Sequence, residues 1–243
     1  MVNRVEANIT GYSSNSKTQT AGDVAAFINR RITLEDNRQP AVWFSRGSFF
    51  RYAAQKLADT GKLPEQVGLE TVNMVLLSMN TGIINGKIEP LTEENIPFSH
   101  THNNGTNAAL YANLDVFQTR MSGFIHEMKS ALEYPIIIDE GRVVENDELN
   151  FILSSPLRVS VAIKRLEYKE VKGLDDGQIA LAIRRRDHSD SAFTTLFKRL
   201  DTFHLHRADV SDETQNRIVE TIGEIIIRKY RGEELPKYGI IFP

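Results

Sequence analysis

The stretch SDETQNRIVETIGEIIIRKYRG, residues 211–232, indicates the fold most clearly, because both ends of a helix can be recognised in it. Ser211 is a preferred N-cap residue, and the acidic residues after it suit the positive end of the helix dipole. Basic residues occupy the last turn, and Gly232 follows as a stop signal. The stretch therefore predicts a long helix near the C-terminus.

Most other segments are predicted to be helical as well. Apolar residues at helical spacing run from Ser45 to Thr60, and Pro64 can open the next helix. Asn85-Gly86 indicates a type I′ hairpin. Further helices are predicted near residue 22 and over 107–132, 175–186 and 191–203. Residues 135–138 are predicted to form a short buried strand or an apolar linker, and the period-two alternation of Leu157, Val159, Val161 and Ile163 predicts a strand over 157–163. The expected fold class is mainly α with minor β.

The composition is that of an ordinary globular protein, with 41% hydrophobic and 25% charged residues among 243. The absence of cysteine excludes disulfides, thiolate catalysis and cysteine-ligated zinc. No apolar run reaches the roughly 18 residues that span a bilayer. The N-terminus lacks the apolar core of a secretory signal. No membrane partner is therefore expected.

Charge is unevenly distributed along the chain. The net charge is −3, but residues 1–150 carry 13 basic and 18 acidic residues, whereas residues 151–243 carry 16 basic and 14 acidic ones. Phosphate responds to nearby charge more than to the distant total. A local basic groove is therefore compatible with the acidic balance.

The patterns that usually mark enzymes are absent. G-x-x-x-x-G-K-[ST], G-x-G-x-x-G, G-x-S-x-G and H-E-x-x-H do not occur. Two His-x-His pairs, His100/His102 and His204/His206, could each supply two metal ligands from a strand, or could be surface histidines. The sequence therefore predicts a binding and assembly protein with no catalytic residue, no metal and no cofactor. A metal-dependent hydrolase using both pairs is the alternative.

The C-terminal residues 237–243, KYGIIFP, are unusually apolar for a chain end. Leaving each large apolar side chain in water would forgo about 1.5–3 kcal/mol. The tail is therefore expected to dock, either on the core of its own chain or on a neighbouring subunit. The polar residues 1–20 are interpreted as an extended arm.

Several segments resemble, in order, the nucleoproteins of orthobunyavirus-like viruses. The segments are Ala21-Gly22 with Phe27, 48–54 (SFFRYAA), 120–125 (RMSGFI), 156–165 (PLRVSVAIKR), 173–178 (GLDDGQ), 182–186 (AIRRR), Ser211-Asp212 and 238–243 (YGIIFP). The resemblance implies a two-lobed helical nucleoprotein core. Its parts would be an N-terminal arm (1–20), an N-terminal lobe (21–134), a C-terminal lobe (135–231) and a C-terminal arm (232–243).

The function implied is encapsidation of single-stranded genomic RNA in a basic groove, with the arms docking on adjacent copies. A capsid or filament protein without an RNA groove is a further alternative. The expected partners are single-stranded RNA, other copies of the chain and the viral polymerase, and the expected location is the virion and the host cytoplasm. The predicted RNA-binding residues are Arg46, Arg51, Lys56, Arg120, Lys164, Arg165, Arg184, Arg185, Arg186, Lys198 and Arg199. The predicted oligomerisation residues are Val5, Ile9, Tyr12, Tyr238, Ile240, Ile241 and Phe242.

Overall fold

A computed structural model of the chain describes residues 4–11, 16–98, 106–141, 149–167, 171–189 and 202–241. The chain divides into two units, one formed by Met1–Trp43 with Tyr134–Pro243 and the other by Phe44–Glu133. The strands are β1 (Val5–Gly11), β2 (Ala41–Ser45), β3 (Asn80–Ile84), β4 (Lys87–Leu91), β5 (Ile136–Glu140), β6 (Leu149–Ser154), β7 (Phe203–His206) and β8 (Gly239–Ile241). The helices are α1 (Lys17–Arg31), α2 (Arg46–Asp59), α3 (Leu69–Leu77), α4 (Thr106–Ala112), α5 (Asp115–Ala131), α6 (Leu157–Glu167), α7 (Asp176–Ser189) and α8 (Asp212–Arg231).

The first unit is built on a sheet whose strand order is β2-β5-β1-β6-β7-β8. Strand β1 runs parallel to β5 on one side and to β6 on the other. Strands β6 and β7 are also parallel, as are β7 and β8. Parallel neighbours need crossover connections, and here helices supply them. The first unit is therefore an α/β fold.

One face of this sheet packs against α1 and α8 in a continuous apolar core. Ala7 and Ile9 of β1, which are fully buried, point to this face together with Ile138 of β5. The two helices approach closely, because a Cβ atom at Gly223 of α8 would lie 2.4 Å from Cδ1 of Phe27 in α1. Glycine therefore sets the distance between the two helices.

The opposite face of the sheet carries a row of buried polar side chains. Asn8 lies in register with Asp139 on β5 and with Asn150 on β6, and all three are at most 1% exposed. Strands buried in parallel sheets are usually near-continuous apolar runs. The polar row therefore makes β1 an unusual central strand.

The second unit contains helices α2 to α5 and the hairpin β3-β4. Asn85 and Gly86 have positive φ angles of 50° and 77° and connect two antiparallel strands, so the predicted hairpin is confirmed. The predicted helices after Ser45 and within 107–132 are confirmed as α2 and as the pair α4 and α5. The hydroxyl of Tyr52 donates a hydrogen bond of 2.7 Å to the carbonyl of Leu91, which fixes α2 against β4.

Several sequence-based predictions are wrong. The fold is α/β, not the mainly α, two-lobed core with arms. Residues 157–163 belong to helix α6 and not to a strand. Pro156 opens this helix, and its carbonyl accepts hydrogen bonds from the amides of Val159 and Ser160. Residues 5–11 form the central strand β1 and not an extended arm. Most of the predicted helix over 191–203 lies outside the described residues, and Phe203 begins β7.

Candidate functional site

The carboxyl ends of the parallel strands define one edge of the sheet in the first unit. The chain leaves β1 through α1 toward β2, whereas it leaves β6 through α6 and α7 toward β7. The connections after β1 and β6 therefore diverge to opposite sides. In open α/β sheets, ligands bind at the carboxyl edge where this divergence occurs. The last residue of β1 and the first turn of α1 lie at that point.

Gly11 ends β1 in a position that excludes a side chain. Its register partner on β6 is Leu153, and a Cβ atom on Gly11 would lie 2.2 Å from the Leu153 carbonyl oxygen. Its φ of +150° is also uncommon for residues with a side chain. Only glycine therefore lets the chain leave β1 so close to β6.

The N-terminus of α1 follows at Lys17, preceded by Ser16 in the left-handed conformation, with φ 51° and ψ 31°. The Ser16 carbonyl accepts hydrogen bonds from the amide and the hydroxyl of Thr20, at 2.8 and 2.9 Å. These bonds close the first helical turn. The first amides of a helix have no partner within the helix, and together with the dipole they favour an anion.

A carboxylate lies next to this helix N-terminus. The Thr18 hydroxyl is 3.2 Å from Oε2 of Glu140, the last residue of β5, although 122 positions separate the two in sequence. Glu140 is 7% exposed, whereas Thr18 is exposed. A hydroxyl and a carboxylate at this spacing are the kind of oxygen ligands that Mg²⁺ uses. The site therefore combines an anion-binding helix end with two oxygen ligands for a divalent cation.

The sequence at this helix end is close to the motif of phosphate-binding loops. Gly11 and Lys17-Thr18 have the spacing of G-x-x-x-x-G-K-[ST], with Ser16 in place of the second glycine. Residues 12–15 lie outside the described part of the chain. The acid that contacts Thr18 is Glu140, and Asp139 beside it belongs to the polar row on the other face. The residues present fit a magnesium–nucleotide complex.

The exact motif is absent from the sequence because Ser16 takes the place of its second glycine. Two signals in the sequence could have found the site. Lys17-Thr18 follows a glycine at the correct spacing after the β-branched residues Ile9 and Thr10. The apolar run 136–138 ends in two acidic residues, which is typical of a strand that delivers carboxylates to a sheet edge. The prediction of a protein without catalytic apparatus is corrected by the arrangement of Gly11, Thr18 and Glu140.

The residues predicted to bind RNA are divided between the two units. Arg46, which is 5% exposed, Arg51, Lys56 and Arg120 belong to the second unit. Lys56 lies 3.6 Å from Glu93, and its ammonium lies over the Tyr52 ring. Arg120 donates to Asn73 at 2.7 Å and holds both carboxylate oxygens of Glu127, which lowers the pKa of that carboxyl.

The remaining predicted RNA-binding residues belong to the first unit. Lys164 and Arg165 lie on α6, and Arg165 pairs with Asp176 and with the Leu174 carbonyl. Arg184, Arg185 and Arg186 lie on α7, where the first two are exposed. Lys198 and Arg199 fall outside the described residues. The structure does not test whether any of these residues binds RNA.

The residues predicted to mediate oligomerisation lie in or beside the sheet of the first unit. Val5 and Ile9 are 2% and 0% exposed within β1, so their side chains belong to the core. Strand β8 pairs with β7, Ile241 packs on the core, and the Tyr238 ring lies 4.7 Å from the Phe203 ring. Ile240 is 69% exposed. Tyr12 and Phe242 lie outside the described residues. The described part of the tail docks on its own chain.

The two histidine pairs do not form a metal centre within the described residues. His204 and His206 alternate on β7, where ring nitrogens lie 2.7 Å from the Thr202 hydroxyl and 3.2 Å from the Ser154 hydroxyl. His100 and His102 fall outside the described part of the chain. Across the residues that the structure describes, no three histidine, aspartate or glutamate side chains converge on a metal position. The metal-dependent hydrolase is therefore unsupported.

None of the described helices is both long and apolar enough to cross a membrane. No family model and no curated protein matches the chain. Among solved structures, TT1252 from Thermus thermophilus matches with a TM-score of 0.50 and 13% identity, over 93% of this chain and 98% of that one. Shikimate kinase from Bacteroides thetaiotaomicron matches with a TM-score of 0.45 and 13% identity, over 92% and 98%.

The likeness to TT1252 extends over nearly the whole chain and shows the fold alone. That fold contradicts the two-lobed helical core on which the nucleoprotein resemblance depended. Orthobunyavirus-like ancestry, RNA encapsidation and a place in the virion or host cytoplasm are therefore wrong for this chain. A capsid or filament protein gains no support either. The expected partners, single-stranded RNA, further copies of the chain and a viral polymerase, stay predictions. The chain is therefore similar in fold to TT1252.

Proposed function

We propose that the protein binds a nucleoside triphosphate with Mg²⁺ at the carboxyl edge of β1 and transfers its terminal phosphoryl group. The observation that carries the proposal is the 3.2 Å contact between the Thr18 hydroxyl and the Glu140 carboxylate at the N-terminus of α1. Phosphate-binding loops pair a hydroxyl on the first helical turn with an acid from a neighbouring strand to hold the metal.

Each residue of the site has a specific role in binding. The amides at the start of α1 donate hydrogen bonds to the phosphate oxygens, and the Lys17 ammonium supplies a positive charge for the two terminal phosphates. Thr18 and Glu140 are the groups that would hold Mg²⁺. When bound, the metal neutralises charge on the phosphate oxygens and orients them. Gly11 keeps the strand end free of a side chain, which allows the backbone to approach the phosphates.

In the transfer step, an acceptor oxygen forms a new bond to the terminal phosphorus while the bond to the bridging oxygen breaks. The electron pair of that bond leaves with the nucleoside diphosphate, and the proton of the acceptor hydroxyl passes to solvent or to a base. Positioning and charge neutralisation supply most of the catalysis in such reactions. Water serves as the acceptor when no other hydroxyl is present.

The basic helix α7 is the best source of additional positive charge in the first unit. It lies in the connection from β6 to β7, which begins at the carboxyl edge of the sheet. Arg184 and Arg185 are exposed and, within the described residues, have no ion-pair partner. Their charge is a candidate partner for the transferred phosphoryl group, which is a different role from contacting an RNA backbone.

Titration with a fluorescent ATP analogue, with and without Mg²⁺, tests the proposal. Thr18→Ala should weaken magnesium-dependent binding about ten-fold, since a bond to a charged partner is worth about 1.5 kcal/mol or more. Thr18→Ser keeps the hydroxyl and should bind normally. Gln19→Ala, at the next exposed position, is the matched surface control. If the wild-type protein binds no nucleoside triphosphate, or if Thr18→Ala binds as well as Thr18→Ser, the proposal is wrong. Release of labelled phosphate from the terminal position tests the transfer step.

A further inference from the structure

The position before Lys17 carries a conformational cost. Ser16 adopts the left-handed conformation that the motif normally gives to glycine. The Cβ atom of an L-residue makes this conformation unfavourable. An additional interaction is therefore needed to keep the turn before α1 in the form that presents Lys17 and Thr18.

A buried arginine supplies that interaction. Nη1 of Arg207, which follows β7, donates to the Ser16 hydroxyl at 3.2 Å and to Oε1 of Gln215 at 3.0 Å. Ser16 and Arg207 are 8% and 7% exposed, so both groups are shielded from water. Charge-assisted bonds of this kind are stronger than bonds between neutral groups.

The bonds form a closed ring around the first turn of α1. Nε2 of Gln215 donates to the Thr20 hydroxyl at 3.2 Å, and that hydroxyl donates to the Ser16 carbonyl. Arg207 is itself fixed, since its Nε donates to the Asp209 carbonyl at 2.8 Å and its amide donates to the Ser154 carbonyl at 2.8 Å. The turn before α1 is thus connected to the ends of β6 and β7 and to α8.

We infer that Arg207 is a positioning residue for the phosphate-binding turn, and that the Ser16–Arg207 bond replaces the conformational freedom of the missing glycine. This inference rests on the proposed function, because it concerns the same site. If the turn is already in its left-handed form, no free energy is spent on reaching that form when phosphate binds. The Ser16–Arg207 bond therefore lowers the Kd for the nucleotide. Arg207 acts through Ser16 and needs no contact with the nucleotide.

Two substitutions at one position separate this role from simple stabilisation. Ser16→Ala and Ser16→Gly remove the same hydroxyl, but only glycine adopts the left-handed conformation freely. Ser16→Ala should raise the Kd for the ATP analogue about ten-fold. Ser16→Gly should leave the Kd within about two-fold of wild type, since it restores the motif. Both variants lose the same hydrogen bond, so a purely structural role would affect them alike.

A double-mutant cycle completes the test. Arg207→Met should raise the Kd about ten-fold when residue 16 is serine. It should have little effect in the Ser16→Gly background, because glycine adopts the left-handed conformation without the hydrogen bond from Arg207. Equal Kd values for Ser16→Ala and Ser16→Gly, or equal effects of Arg207→Met in both backgrounds, would overturn the inference. If the Arg207→Met protein does not fold, the comparison of Kd values between Ser16→Ala and Ser16→Gly still tests the inference. Failure of the wild-type protein to bind the nucleotide would instead remove the proposed function, and the inference with it.

Discussion

A Cβ atom on Gly11 would lie 2.2 Å from the carbonyl oxygen of Leu153, its register partner across β1 and β6. Backbone atoms of two paired strands cannot move apart without breaking the ladder. The contact therefore fixes the residue type where the central strand ends and the connection to α1 begins.

Gly11→Ala should lower the free energy of unfolding by roughly 1–3 kcal/mol through overpacking. Gly239→Ala is a matched control, because Gly239 has a nearly identical φ of +152° but no atom within 4 Å of the added Cβ. Urea unfolding followed by the fluorescence of Trp43, the single tryptophan, measures both. Equal losses at the two positions would show that backbone conformation alone, and not the Leu153 carbonyl, requires glycine.

Gly223→Ala should destabilise the first unit even though alanine favours helices. A Cβ at this position would lie 2.4 Å from the Phe27 ring, so α1 and α8 must separate. The packing cost of about 1–3 kcal/mol exceeds the gain of about 1 kcal/mol in helix propensity. Gly123→Ala in α5 is the control, because the added Cβ would meet a single side-chain atom, Nη1 of Arg120 at 3.0 Å, and should be close to neutral. Calorimetry of both variants measures whether each substitution raises or lowers the stability of the protein. A stabilised Gly223→Ala protein would contradict the tight contact between α1 and α8.

Asp209 should make the N-terminus of α8 sensitive to acid. Hydrogen bonds from the Ser211 hydroxyl and amide lower the pKa of this carboxyl from 3.8 to about 2. Because the folded-state pKa is the lower one, the stabilisation is present above pH 3.8 and is lost as pH falls toward 2. The stability difference between wild type and Asp209→Asn should therefore be largest above about pH 5 and shrink on acidification. Urea unfolding at stepped pH measures it, and a difference that does not vary with pH would disprove the assignment.

Glu140→Gln should reduce the dependence of nucleotide binding on Mg²⁺. Glutamine keeps an acceptor for the Thr18 hydroxyl but removes the charge that attracts the cation. The increase in affinity caused by Mg²⁺ should fall by about ten-fold, the scale of one charge-assisted interaction. Glu224→Gln, on the exposed surface of α8, removes the same charge elsewhere in the unit and should bind like wild type. A normal magnesium response in Glu140→Gln would exclude Glu140 as a metal ligand.

The elements that the sequence predicts correctly are those whose determinants are local. Helix α8 begins where the Ser211 hydroxyl accepts a bond from the Thr214 amide and ends at Gly232 in the left-handed conformation, as its cap residues predict. The Asn85-Gly86 hairpin likewise follows from the φ values of its two turn residues. In both cases a few adjacent residues decide the structure, and no distant contact is needed.

The sequence-based predictions are wrong where contacts between residues far apart in sequence determine the structure. In α6, Leu157/Val161 and Val159/Ile163 satisfy helical spacing as well as strand alternation, and Pro156 selects the helix. Strand β1 contains Asn8 and Thr10, both fully buried, so its composition resembles a polar arm until its two neighbours are known. The turn before Lys17 was missed because Ser16 takes the place of the second glycine of the motif, and its hydrogen-bond donor Arg207 is 191 positions away.

The pairing of β1 also has a consequence for how the chain folds during synthesis. Val5 and Ala7 are synthesised more than a hundred residues before their register partners Ile136 and Leu149. Such long sequence separation slows folding and leaves an unpaired strand exposed while the chain grows. The polar side chains of Asn8 and Thr10 make the unpaired strand β1 less prone to aggregate than an apolar strand would be. The site at the end of β1 is thus completed only when Glu140, 122 positions after Thr18, has been synthesised.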